Sequence, residues 1–354
     1  YTTGVANPYL LLEPSRTNLI AQSEYFGDSY WTKIGSSVVS GFTSPEGLSN
    51  AYKLVEDTST GTHRVDSIEW IFITGGTTVT QSVYVKANGR TIVGLQDNAL
   101  GAGHAVFNLS TVTVLAVYGV SAKIETLPNG WFRISYTFVS GGSGSMPYKT
   151  GIFALDTYTS GTPLSNPYTG DGTSGLYIYG AQLEIGSYPT SYIPTYSVSA
   201  TRAQDVCSKT DASGVIGQTE GTFFIEAKTL SSSASNWIGF GANSSNRFLL
   251  GSTNGKVRLY YQDSGGAGGD TTLISSLDKF KAAVSYNTNT NSLVFYVNGQ
   301  NQATLTVSGF TLTLDSIING NLATSTQMWE GDVNKISVFP TALTNAELAT
   351  LTTI

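Results

Sequence analysis

The chain has one cysteine (Cys207), two histidines and two methionines in 354 residues. A lone thiol excludes an intrachain disulfide, so this is not a stapled small domain. Two histidines and one cysteine also leave no zinc-module ligand set. Cys207, with Lys209 as its nearest basic neighbour, reads as an inert thiol. Charge is scarce too: 12% of residues are Asp, Glu, Lys or Arg, about half the usual share. The net charge is −6 and the basic residues form no stripe, which argues against a nucleic-acid partner. No apolar run approaches the roughly 18 residues of a membrane span, so no membrane insertion is expected. No internal repeat of roughly 20–50 residues is visible, which excludes solenoids and propellers. No signal peptide is visible, and the chain opens on Tyr1. It reads as a processed piece, with an anchoring part expected before it.

What fills the sequence is aromatic and neutral-polar: 20 Tyr, 15 Phe, 5 Trp and 39 Gly among abundant Ser, Thr and Asn. That is enough burial area to exclude disorder, and the mixture suits half-buried β surface. Val79–Lys86 and Trp131–Val139 alternate apolar and polar, the second after the turn Pro128-Asn129-Gly130. Asn298-Gly299, between SLVFYV and QNQATLTV, is the strongest hairpin signal in the chain. Thr344–Leu351 alone reads as helix, with Thr344 and Glu347 in capping-box spacing. Gly141–Ser145 and Gly265–Gly269 do not join a strand to a helix and read as hairpin loops rather than phosphate cradles. The expectation is all-β: two tandem antiparallel β-sandwich (jelly-roll) domains, at 1–196 and 220–354, with a Ser/Thr-rich linker at 197–219.

Particular motifs carry a resemblance. LLLEPSRTNLIAQSEYF at Leu10–Phe26, the later Trp31, SVYVKA, NGWFRISYTF and the close GAQLE…SYIPT resemble carbohydrate-binding-module-like jelly rolls of modular phage tail-fibre and head-fibre proteins. In the second half, FFIEAK, the YVNG hairpin and WEGDVNKISVFPTALTNAELATL resemble the LamG-like (concanavalin A-like) family over about Gly221–Leu351. Gly331, Val333, Ile336, Val338, Phe339, Ala342, Leu343, Glu347 and Leu348 fit that closing run. Asn334 and Lys335 stand where the family has an acidic pair. Arg16 and Asn18 read as structural anchors, with a buried Arg16 paired to Glu13 or Glu184.

Catalysis has thin support. Glu330 and Asp332 have the i, i+2 spacing of a carboxylate pair, but other carboxylates of the second half stand isolated. His63 reads as part of a solvated loop and His104 as an edge residue, neither with a metal-ligand partner, and no nucleophile elbow is present. Calcium is the best inorganic candidate, with Asp171 and Asp270 in suitable loops. Sugar binding is the sharper expectation, because pyranose C–H faces pack on aromatic rings while amides and carboxylates bond the hydroxyls. Trp131 and Trp329 read as core. Trp237, Arg247, Tyr260 and Tyr261, with Asp263 as a polar partner, are the candidate carbohydrate contacts. Tyr260 and Tyr261 are adjacent and so face opposite ways on a strand.

The resemblance implies a non-enzymatic virion fibre or decoration protein, made in the host cytoplasm, that attaches to host-surface glycans. Its implied partners are other virion proteins and further copies of itself, a trimer being usual for fibres. Two readings stay open beside it: a structural head or tail decoration protein without a ligand, and a polysaccharide hydrolase or lyase.

Overall fold

The computed structural model describes residues 10–68, 70–97, 103–162, 164, 166–230, 235–263, 268–275, 279–307, 312–322 and 327–354, without the side chains of 97 and 268–275. The expected Gly265–Gly269 loop falls largely outside these. The fold is all-β, built from antiparallel sheets, and among the described residues its α-helix is Asn345–Thr352. No described helix is long and apolar enough to cross a membrane.

Two compact units emerge, and their division differs from the serial one expected. Ser15–Ala203 form one unit, and the described residues up to Pro14 join Gln204–Ile354 in the other. Strand Leu10–Leu12 lies antiparallel to Gly331–Phe339, Leu10 opposite Val333, Leu12 enters the C-terminal core, and Glu13 and Asp205 exchange hydrogen bonds. The first sandwich is therefore inserted into the second. Nor is 197–219 a free linker. Ala200–Arg202 pairs with Arg16–Asn18 in the inserted unit, and Ser208–Lys209 pairs with Ser316–Asn319 in the C-terminal one.

The inserted sandwich has two six-stranded sheets. Alternation in Thr78–Asn88, Phe132–Val139 and Gly175–Ile185 sends Val79, Val83, Val85, Ile134, Phe138, Leu176 and Ile178 into a core shared with Val93, Leu95, Phe107 and Ile152. Its opening and closing motifs meet as a clasp. Asn18 donates to the carbonyls of Ala181 (3.2 Å) and Ile193 (2.9 Å), while its Oδ1 accepts from Ile20 N–H and Leu183 N–H, both at 3.1 Å. Glu184 accepts from Thr190 N–H at 3.0 Å, from the Thr190 hydroxyl and from Gln182 at 2.6 Å, and Gln182 Oε1 accepts from Ile193 N–H at 2.7 Å. Asn18, Gln182 and Glu184 are fully buried, so removing any of them would strand buried donors or acceptors. Asn18 is the expected anchor, but Glu184 does not pair with Arg16. It is consumed by Thr190 and Gln182, and Arg16 instead lies 5.5 Å from the Tyr188 ring centre.

The histidines are also placed differently. His63 is fully buried in strand His63–Ser67, with Nδ1 2.5 Å from Gly35 O and Nε2 3.2 Å from Tyr168 O. His104 is buried in a strand paired on both sides.

The C-terminal sandwich packs one six-stranded sheet, centred on Glu220–Thr229, Phe280–Asn287 and Gly331–Phe339, against another containing Asn236–Asn243, Asn246–Thr253 and Lys256–Gln262. Phe223, Phe240, Phe248 and Tyr286 stack between them with centroid distances from 4.3 to 5.5 Å. Asn298 (φ 48°) and Gly299 (φ 79°) turn the chain between Val297 and its partner Gln300, as the left-handed two-residue hairpin requires. In the capping box, Thr344 N–H donates to Glu347 Oε2 (2.8 Å) and Glu347 N–H to Thr344 Oγ1 (3.3 Å).

Candidate functional site

Three neighbouring strands of the C-terminal sandwich build the first candidate. Ile238, Phe240, Phe248, Leu250, Val257, Leu259 and Tyr261 point one way, into the core. The intervening positions face outward: Trp237, Gly239 and Gly241, then Arg247, Leu249 and Gly251, then Arg258, Tyr260 and Gln262, paired as Leu249↔Tyr260 and Gly251↔Arg258. A cavity of about 300 Å³ opens there, lined by Trp237, Arg247, Arg258, Tyr260, Asn321 and Gln327 together with Ser235, Leu249 and Thr253. Gly251 makes room for its floor: a Cβ there would lie 1.9 Å from Asn236 O and 2.7 Å from Trp237 Cε3.

The polar groups are fixed by one another. Arg247, 8% exposed, donates through Nη1 to Asn321 Oδ1 at 2.6 Å, and Asn321 Nδ2 donates to Gln327 Oε1 at 3.0 Å. The Arg247 guanidinium sits 5.1 Å from the Tyr260 ring centre, within cation–π range. Tyr260 donates its hydroxyl to Gln262 Oε1 at 2.8 Å, which orients the ring. Trp237 is only 7% exposed, so it forms a wall, and half-buried Tyr260 is the ring with a wet face.

Of the five expected contacts, Trp237, Arg247 and Tyr260 thus line one hollow, whereas Tyr261 and Asp263 do not. Tyr261 belongs to the core, and Asp263 is fully buried. Burial first, and the Asp263 charge second, push the Tyr261 phenol above its ordinary value. Strand alternation decides this: the residue after an outward Tyr260 must point inward. Trp131 and Trp329 are buried as core, and Trp70 is 49% exposed with Lys149 Nζ 4.5 Å from its ring centre. Arg258, Asn321 and Gln327 were not foreseen. Arg258 lies two residues before Tyr260, so the alternation itself could have found it; Asn321 and Gln327 sit in a segment with no periodic pattern.

The two calcium candidates, Asp171 and Asp270, lie in different segments. Asp171 Oδ1 accepts from Thr173 N–H, Thr173 Oγ1 and Ser174 N–H, and its Oδ2 accepts from Ser174 Oγ, at 2.6 to 2.9 Å. These bonds, led by the Ser174 hydroxyl, hold its carboxyl well below the usual range. Both oxygens are thereby engaged by their own turn. Asp270 is the backbone partner of Tyr260, and its side chain lies outside the described residues. No group of three Asp, Glu, His or Cys that could hold a metal occurs among the described residues. Glu330 and Asp332 flank the start of strand Gly331–Phe339 and are not among the residues lining the hollow.

The inserted sandwich has its own hollow, of about 570 Å³, lined among others by Gln22, Glu24, Tyr25, Asn50, Tyr52 and Tyr196. Glu24 accepts from Asn50 Nδ2 (3.2 Å), Tyr179 OH (3.2 Å) and Tyr192 OH (3.1 Å). Tyr25 and Tyr196 are exposed. Burial and then the Glu24 charge raise the Tyr196 phenol above its usual value.

No protein-family model matches this chain, and no curated protein matches it. Solved structures give partial likenesses. The sialidase module CBM40 of Ruminococcus gnavus, bound to α2,3-sialyllactose, is 22% identical over 40% of this chain and 86% of its own, with a TM-score of 0.35. NanB sialidase of Streptococcus pneumoniae is 16% identical over 41% of this chain and 26% of its own, also at 0.35. A heptameric SAP-like pentraxin of Limulus polyphemus is 13% identical over 38% and 70%, at 0.32. Scores this low say nothing of a ligand.

Proposed function

We propose that this chain is a non-enzymatic glycan-attachment protein of the phage-fibre or decoration type, and that the outer-face hollow of its C-terminal sandwich is the sugar site. One observation carries the reading: Tyr260 offers a partly exposed ring beside Arg247, Asn321 and Gln327. An aromatic platform rimmed by fixed polar groups is what a pyranose needs. The cavity is at the small end of ligand pockets, suited to about one sugar residue. A single such contact is weak, so function would depend on many copies on a virion binding host-surface glycans together. The fibre assignment, other virion proteins as partners, a trimeric state and the virion location follow from the sequence resemblance and belong to the same proposal.

The test is a broad glycan array probed with a multimerised form of the chain, with and without calcium. Binding to a defined set of glycans that is lost on Tyr260→Ala is the expected result. Silence across the array together with absent host-cell binding would leave a structural decoration role. Release of shortened polysaccharide would instead support an enzyme.

A further inference from the structure

We infer that the hollow of the inserted sandwich binds a ligand through an ammonium group, held between the Glu24 carboxylate and the Tyr25 and Tyr196 rings. This site is separate from the proposed sugar site and stands without it. At about 570 Å³ the hollow lies within the usual range of ligand pockets. Among the described residues, its charged lining residue is Glu24. The partners of that carboxylate are neutral: Asn50 Nδ2 on Oε2, and the Tyr179 and Tyr192 hydroxyls on Oε1. The side chains supply no cation to it. All 18 Lys and Arg residues and both histidines lie among the described residues, and none forms an ion pair with Glu24.

The rings point the same way. Tyr25 is 55% and Tyr196 64% exposed, and Tyr25 stands edge-on to Tyr52 with ring centres 6.0 Å apart. Elsewhere the chain places its own cations over tyrosines. Arg133 lies 5.3 Å from the Tyr84 ring centre, and Arg90 lies 5.3 Å from that of Tyr168. Among the described residues, no Lys or Arg takes that place over Tyr25, Tyr52 or Tyr196. A tyrosine face attracts a cation through its quadrupole, and a carboxylate beside it adds direct charge attraction. Glu46 strengthens the negative field: after burial and Glu24, its charge also raises the Tyr196 phenol above the ordinary value. An anionic ligand would be repelled here, and a neutral one would gain nothing from the charge. The Glu24 carboxylate and the Ser40, Ser49 and Ser197 hydroxyls are acceptors. They favour a primary ammonium, with its three N–H donors, over a methylated one.

The test is a ligand-observed NMR titration of the full chain with two matched pairs of probes. Butylammonium is set against 1-butanol, and choline against its uncharged analogue 3,3-dimethyl-1-butanol, with glucose as a neutral sugar. Butylammonium should bind about tenfold more tightly than 1-butanol, because a charge pair and a cation–π contact are added. Salt should weaken only the charged probes. Glu24→Gln should erase the difference within each pair. Tyr196→Ala, at an exposed position, should reduce it and serves if the first variant does not fold. A larger gain for choline than for butylammonium would assign the site to a methylated ammonium, and the reverse to a primary one. Equal binding of charged and uncharged probes, a preference for glucose, or no binding at all overturns the inference. Tyr260→Ala should leave every one of these titrations unchanged, so the sugar reading stands or falls separately.

Discussion

The two hollows differ in charge and in construction. Among the described residues, the charged lining residues are Arg247 and Arg258 in the C-terminal sandwich and Glu24 in the inserted one. The first is built on adjacent strands, where outward residues follow the two-residue period of a sheet. The second brings Tyr196, near the end of the inserted unit, to Tyr25 and Tyr52 near its start. The difference shows how a site can be readable in one half of a chain and hidden in the other. A strand face is local, so spacing exposes its members. A site assembled from loops depends on which distant segments the fold brings together.

The sharpest way to break this picture is to exchange the two faces of one strand. Tyr261→Ala should destabilise the C-terminal sandwich by about 3–5 kcal/mol, as core aromatic truncations do. Tyr260→Ala should leave its melting temperature nearly unchanged. A calorimetric scan of both variants checks this, and equal losses would mean that the face assignment fails.

Next in size is the clasp of the inserted unit. Glu184→Ala strands the Thr190 N–H and hydroxyl and the Gln182 amide. The expected cost is on the order of 3 kcal/mol, or roughly 6–12 °C for a unit of this size. The C-terminal unfolding transition should not shift.

The smallest effect concerns acid. Burial pushes the Glu56 carboxyl up, but Arg90, the Asp171 N–H and the Tyr168 hydroxyl outweigh it and hold it below its ordinary 4.5. A carboxyl lowered in the folded state contributes stability that is present above the unfolded value and is lost as pH falls through the folded one. The urea midpoint of the inserted unit should therefore drop below about pH 4, and Glu56→Gln should flatten that dependence. Glu347 is also lowered, first by the Thr344 N–H. Its capping box is exposed, so the C-terminal unit should respond less at the same pH.

The fold class and the Asn298-Gly299 turn were legible because alternation and turn chemistry are local signals. The helix was too: it runs Asn345–Thr352 behind its Thr344 cap, one residue on from the expected Thr344–Leu351. The insertion was not legible, because the three residues Leu10–Leu12 carry no signal of a partner more than 300 residues away. His63 was misread because its polar neighbours suggested solvent, whereas its ring is enclosed inside the sandwich between the backbone carbonyls of Gly35 and Tyr168. At the hollow, Trp237, Arg247 and Tyr260 could be picked out by residue type. Asp263, three positions after Tyr260, falls on the inward parity that Tyr261 takes, and it is fully buried.

The most direct test of the account is host-cell binding by two variants measured side by side: Tyr260→Ala in the C-terminal hollow and Tyr196→Ala in the inserted one. Both side chains are at least partly exposed, so both variants should fold. The account predicts that Tyr260→Ala weakens binding about tenfold per site, the scale of a lost aromatic contact, while Tyr196→Ala binds as the unmodified chain does. Loss with Tyr196→Ala and none with Tyr260→Ala would contradict it.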